Sequence, residues 1–442
     1  MNLRRLLFCL LALLNFIVGA CRKSDEPTPE DPNFSIEIPD PAFEKALIDL
    51  GIDKAQDGRV LFTAIQRVTS LNLFNKGIRS LQGIESFAKL AILDCSLNNL
   101  SSLDLSHNTA LTSLECNGNQ LSNLDVSTLP SLSRLGCSAN KLGKLNVGSN
   151  TKLTHLDCSS NNLASLDISR NTSLTLLYGN TNKLTSLNVE KNTALGFLSC
   201  ADNALSELKL ATNTQLIYLN CRNTKLTNLN ISKNAILTKL ICSENLLTDL
   251  DITNNKILTY LACSSNKLNS LNLTRNTAIT DLYCANNNLA QLDLSKQKAL
   301  TYLACNNNTL ASLNIDTTTA LTYLNCSSNK LTNLNTNRNQ ALKTLFVGLN
   351  RLTNLDVRNN INLTYLSCSA NKLSSLDITK NPALTELYCA NTTLTSLDLR
   401  NNLTLQWLVC TDNSIRTICV SNLANVKTTW LKDESTSYQV CR

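Results

Sequence analysis

A repeat solenoid is the fold class this sequence predicts, and three observations predict it. From Leu90 to Leu405 the chain rewrites one pattern every 21 residues, sixteen times over, as in the copy LTSLECNGNQLSNLDVSTLPS that begins at Leu111. Within that copy Leu114 and Cys116 alternate with Ser113, Glu115 and Asn117, which is the period of a strand. A unit of this length cannot bury its own apolar face, so successive coils must stack and share one core. Their strands then form one parallel β-sheet. Leu124 and Val126 close the core from the opposite, strand-poor side, and little helix is expected apart from an N-terminal helical cap. A compact chain of 442 residues would divide into several domains, but a solenoid lengthens without dividing. Abundant Leu, Asn, Thr and Ser with 17% charged residues and a single Met reflect the copying of one short unit.

The chain begins with Arg4 and Arg5, an apolar run from Leu6 to Val18, and Gly19-Ala20 directly before Cys21. This reads as a secretory signal over residues 1–20, too short to span a bilayer as a mature helix. Val18-Gly19-Ala20-Cys21 resembles the bacterial lipobox, which implies cleavage before Cys21 and acylation of that residue. Residues 21–39, charged and proline-rich at RKSDEPTPEDPNFS, form an extended tether. Lys23-Ser24-Asp25-Glu26 resembles the short tags that precede surface display of lipoproteins in Bacteroidota. Arg22 after the lipidated position resembles lipoproteins sent to the outer membrane. A surface-exposed, outer-membrane location in the bacterial cell envelope follows as the expectation, with membrane contact through the lipid anchor only.

The folded body opens with a cap and an irregular first repeat, residues 40–89. Asp40 suits a helix N-cap, Pro41 the first helical position and Gly51 the stop, with Phe43, Ala46, Leu47 and Leu50 as the apolar stripe. Such a cap is needed because the end of a solenoid otherwise exposes core and unpaired strand. The segment from Asp53 carries Ala55 and Ala64 where a calcium loop needs oxygen ligands, so it reads as a turn.

In the repeats, residues 90–418, the spacing LxxLxCxxNxL resembles the leucine-rich-repeat signature, with cysteine in place of one leucine. The cap segment IPDPAFEKAL and the repeat segment CSSNKLTNLN further resemble internalin-like surface proteins of Bacteroidota. That resemblance implies a right-handed superhelix and a role in recognising proteins and sometimes glycans.

Eighteen cysteines in an exported chain suggest disulfides, but the spacing argues otherwise. Cys95, Cys116, Cys137, Cys158, Cys200, Cys221, Cys242, Cys263, Cys284, Cys305, Cys326, Cys368, Cys389 and Cys410 share one inward position, which Gly179 and Val347 occupy in two coils. Adjacent strands hold side chains parallel about 4.8 Å apart, while disulfide Cβ atoms sit near 3.8 Å and face each other. A column of free thiols packed as small hydrophobes follows. Cys419 and Cys441 fall outside that register and are the candidate disulfide, pinning a C-terminal cap over residues 419–442. Asn98, Asn119 and their equivalents occupy another single register, from which an amide can bond the turn backbone of its own and the adjacent coil.

Every aromatic residue between Leu90 and Cys410 falls at an outward strand position: Tyr178, Phe197, Tyr218, Tyr260, Tyr283, Tyr302, Tyr323, Phe346, Tyr365, Tyr388 and Trp407. These are the candidate ligand-binding residues on the concave face. Their rings suit a protein or carbohydrate ligand, and equally suit cross-strand stabilisation with no ligand, as in an architectural spacer. Basic residues recur on two edges, as at Lys141, Lys183 and Lys225, and read as a solvated rim. The formal net charge of +7 is too mild, in an exported chain, for nucleic-acid binding. Only His107 and His155 are available as histidines, and no phosphate loop or zinc spacing occurs. No catalytic residue, metal or cofactor is therefore assigned, the chain is read as a binding protein rather than an enzyme, and no residue pattern indicates an oligomeric state.

Overall fold

The computed structural model describes residues 33–441. Cys21 and the signal and tether segments before Asn33 lie outside the described residues. The chain winds as a solenoid in which three-residue strands, one per coil from Ser70–Asn72 to Trp407–Val409 and ending in Trp430–Leu431, pair in parallel with the strand of the next coil. The register advances by 21 residues at each step from Ile92–Asp94 to Trp407–Val409, as in Leu114 opposite Leu135 and Leu135 opposite Leu156, and by 22 at the first and last steps. Strand-central leucines are fully buried, and so are Leu111, Cys116, Leu121 and Val126 of the reference coil. Burial of each such leucine contributes about 2 kcal/mol, and only the neighbouring coils can provide it.

Short strands also pair outside the long sheet, at each end of the solenoid. At the C-terminal end Ser396–Asp398, Thr417–Val420 and Ser437–Val440 form a second, three-stranded parallel sheet. A disulfide joins Cys419 of that sheet to Cys441. At the N-terminal end β1 (Ser35–Glu37) pairs antiparallel with β2 (Arg59–Leu61) beside helix α1 (Pro41–Asp49). Asp40 Oδ1 caps α1 by accepting from the Ala42 and Phe43 amides. Its Oδ2 accepts from the Arg79 and Ser80 amides and so ties the helix to the first repeat. Leu50, expected in the apolar stripe, is 46% exposed, because it stands at the C-cap where the helix already turns away from the core. Glu44, which the sequence did not single out, is buried and accepts from the Asp57, Gly58 and Arg59 amides, clamping the turn that follows Asp53.

Asparagine joins the coils along two lines. In the expected register Asn119 Nδ2 donates to the carbonyls of Cys95 (3.0 Å) and Cys116 (3.1 Å), and its Oδ1 accepts from the Leu100 amide (2.9 Å). One amide thus serves two coils, and the same pattern recurs at Asn140, Asn161 and Asn203. A second line, absent from the sequence reading, runs through Asn150, Asn171, Asn192, Asn213 and their equivalents, all fully buried on the other side of the core. Asn171 Nδ2 donates to Val147 and Asn150 carbonyls at 2.9 and 2.8 Å, while its Oδ1 has no partner among the described residues. Asn360 is different. Its Oδ1 is 2.7 Å from the hydroxyl of Thr336, which stands where other coils carry Val, Ile or Leu.

The fourteen cysteines of the inward column are free and buried. Burial pushes the thiols of Cys158, Cys200, Cys263, Cys326 and Cys368 up to about 12 from 9.0, and raises those of Cys116 and Cys137 well above 9.0. Each turn out of the strand also needs one residue with a left-handed backbone, such as Leu97 (φ 54°) or Leu349 (φ 55°), and only Gly118 relieves that conformation with glycine. The Leu97 amide donates to the Asn117 carbonyl of the next coil at 2.8 Å, a bond that offsets the strain.

Two outcomes follow. Because the folded thiols keep protons that the unfolded chain releases, their contribution is complete below the unfolded pKa near 9.0 and is lost as pH rises toward the folded value of about 12. The slope reaches about 1.4 kcal/mol per thiol per pH unit. Urea unfolding midpoints should therefore fall as pH rises from about 9 toward about 12, and replacing Cys242, Cys263 and Cys284 by Ala should flatten the fall. Thr336→Val, which removes the hydroxyl shared by Asn360 Oδ1 and the Asp356 carbonyl, should lower stability by about 1 kcal/mol in the same measurement at neutral pH.

Candidate functional site

The outward side of the long sheet presents two positions per coil, the first and third residues of each strand, since the central leucine points into the core. All eleven expected aromatic residues occupy these positions. Nine of them touch. Phe197 stacks on Tyr218 with ring centroids 6.2 Å apart. From Tyr260 the column continues through Tyr283 (5.3 Å), Tyr302 (4.7 Å), Tyr323 (4.1 Å, planes 3° apart), Phe346 (5.8 Å), Tyr365 (4.4 Å) and Tyr388 (5.4 Å). Lys239, which the sequence reading passed over, fills the coil between the two groups. Its ammonium stands 4.3 Å from the Tyr260 centroid and 5.8 Å from that of Tyr218. A cation held between two ring faces continues the column where an aromatic is missing.

Rings stand at first or third positions, and several have a short side chain beside them. Tyr260 and Tyr302 share their strands with Ala262 and Ala304, which are only 7% and 9% exposed although they point outward. Ser367 stands beside Tyr365 and Thr344 beside Phe346. This pairing of ring with short side chain was legible in the sequence and is the signal that would have identified a column rather than scattered surface rings. The tyrosine rings are half-buried against one another. Tyr178 and Trp407 have no ring partner among the described residues. Tyr388 instead directs its hydroxyl to Glu386 Oε2 at 2.9 Å, and the column ends there.

Desolvation raises the pKa of Tyr218, Tyr260, Tyr283 and Tyr302 above the usual phenol value, and takes Tyr365 to about 12. The phenols are therefore neutral donors and acceptors at physiological pH. Toward the N-terminus the same face is charged. Glu115 accepts from the Arg134 guanidinium and from Asn117 (2.8 Å), and a Cβ at position 136 would collide with Glu115 Oε2, so Gly136 is what lets that carboxylate lie across the strand. His155 Nδ1 lies 2.8 Å from Thr154 Oγ1, and His107 Nδ1 lies 3.1 Å from Ser106 Oγ in an exposed turn. The recurring turn aspartates, Asp104 and Asp167 among them, accept the amide two residues on, which lowers their pKa.

Among solved structures the chain is similar to the functional domain of InlJ from Listeria monocytogenes, which includes a cysteine ladder. The two share 31% identity over 88% of this chain and 83% of that one, with a TM-score of 0.71. The chain belongs to the internalin-like leucine-rich-repeat proteins. Also similar are the leucine-rich-repeat protein LIC12759 of Leptospira interrogans (25% identity, 80% of this chain and 92% of that, TM-score 0.65) and, in fold, internalin InlF of Listeria monocytogenes (22%, 84% and 100%, TM-score 0.58). No protein-family model matches the sequence, and no curated protein matches it. Within this internalin-like frame the thiol column of the present chain is part of the scaffold, and the ring column lies on its outward face.

The column should carry measurable stability. Phe346→Ala, which breaks two ring contacts, should cost about 1–3 kcal/mol, against about 2–5 kcal/mol for Leu345→Ala beneath it. Chemical denaturation of both variants checks the order.

Proposed function

We propose that this internalin-like chain is a bacterial cell-envelope lipoprotein, anchored in the outer membrane through Cys21 and surface exposed, whose sheet face recognises a polypeptide. The lipobox-like segment and the tether support the location. The observation that carries the binding reading is the ring column, and its geometry favours protein over sugar along its length. A pyranose stacks on an open aromatic face, but the faces from Tyr260 to Tyr388 are covered by neighbouring rings 4.1–5.8 Å away. What the column offers outward is ring edges and neutral hydroxyls, a surface of mixed apolar and hydrogen-bonding character that suits peptide groups and side chains. At about 4.8 Å per strand those seven coils span roughly 29 Å, the length of about nine residues of extended chain at about 3.3 Å each.

The mutual stacking also supports a second reading, an architectural spacer in which the rings stabilise the sheet and meet no ligand. The two separate experimentally. Soluble protein comprising residues 33–442 is applied to a protein and peptide array, and the Tyr302→Ser, Tyr323→Ser, Tyr365→Ser triple variant is applied in parallel after its fold is verified by circular dichroism. Loss of the captured signals in the folded variant is the expected outcome. Unchanged capture would remove the column as the binding face, and protease shaving of intact cells tests the surface location.

A further inference from the structure

Of the outward rings, Trp407 is the most open. It is 51% exposed, no other ring stands against it among the described residues, and it forms one wall of a cleft of about 380 Å³ with Gln406, Val426, Lys427, Thr428 and Thr429. The cleft lies where the long sheet gives way to the C-terminal cap, beyond the end of the ring column at Tyr388 and Glu386. Its volume sits at the small-ligand end of the roughly 300–1,000 Å³ range of binding clefts.

The chemistry of the walls is specific. The indole supplies a broad, electron-rich face that attracts the weakly positive C–H hydrogens on one side of a pyranose. Around that face stand groups that match hydroxyls radiating from the sugar's rim. Thr428 has an uncommitted hydroxyl among the described residues, and Gln406 uses its Nε2 on the Thr404 carbonyl (3.3 Å), leaving Oε1 to accept. Thr429 is committed to the Gln406 carbonyl and fixes that edge. Lys427 is exposed and makes no ion pair among the described residues. A lone cation in a cleft otherwise free of charged side chains favours a ligand that brings one negative group.

We propose that Trp407 and the cleft beside it bind one uronate-bearing pyranose of an acidic glycan, the ring stacked on the indole and the carboxylate facing Lys427. This site is separate from the polypeptide surface of the ring column and does not depend on it.

The chain has two tryptophans, and Trp430 is 8% exposed, so saccharide binding reads out on Trp407. Titration of residues 33–442 with trigalacturonate should give a saturable blue shift of the exposed emission and protection from iodide quenching, with matching heat by calorimetry. Chitotetraose and mannotetraose serve as neutral probes and should bind more weakly. Trp407→Ala should abolish the calorimetric signal while the circular dichroism spectrum is kept, and Lys427→Gln should weaken trigalacturonate about tenfold and leave the neutral probes unchanged. The triple tyrosine variant should retain full trigalacturonate binding, which distinguishes failure of this site from failure of the polypeptide surface. Absence of saturation up to millimolar trigalacturonate, binding that survives Trp407→Ala, or neutral probes binding as tightly as the uronate overturns the proposal.

Discussion

Several buried backbone groups in the turns between coils, such as the Leu100 amide, are bonded by a side chain of the adjacent coil, and the whole architecture rests on how those groups are bonded. A side-chain amide resolves the problem because it carries donors and an acceptor on one short, rigid plane. Asn119 reaches carbonyls of two coils and the amide of Leu100 at once. A buried turn left without such bonds costs about 1–3 kcal/mol for each orphaned group, and the repeat would not survive fourteen such losses. The leucines supply the driving force, but leucine alone sets neither spacing nor register. The amide does, and by holding every coil at one height it places the outward strand positions in straight rows.

Straight rows turn a modest sequence bias into a continuous surface. A tyrosine at one outward position meets its neighbour only if the coils advance without slip, and the contact between Tyr302 and Tyr323, planes 3° apart, is a product of that regularity. The rings then have a double role that is physically consistent. Covering each other's faces stabilises the sheet, while the remaining edges and hydroxyls form the outward surface. The same covering explains why Trp407, beyond the last stacked ring, differs in chemistry from the residues it resembles in sequence.

Much of this was legible beforehand. Strict periodicity assigned Leu114 and Cys116 inward and the aromatic residues outward, because in a strand a one-residue shift reverses the face and no such shift occurs over sixteen copies. The second asparagine line was equally visible as a column at Asn150, Asn171 and Asn192, and was missed because asparagine in a turn region reads as ordinary turn chemistry until its burial is known. The three-stranded sheet at the C-terminal end was not legible. Ser396–Asp398 has the same local sequence character as its counterparts elsewhere, and becomes a strand only because the cap supplies partners on that side.

The sequence by itself determined the coil length, the face on which each side chain lies and the chemical identity of each column, since all three follow from local spacing and side-chain type. Only the tertiary structure decided which outward side chains touch. Rings in successive coils are 19 to 23 residues apart, and their contact depends on small rotations about χ1 and χ2 and on the neighbour's choice, as when Tyr388 turns to Glu386. Lys239 was drawn between Tyr218 and Tyr260 by the same through-space attraction. Such choices are made between coils, where a one-dimensional pattern carries spacing but no orientation.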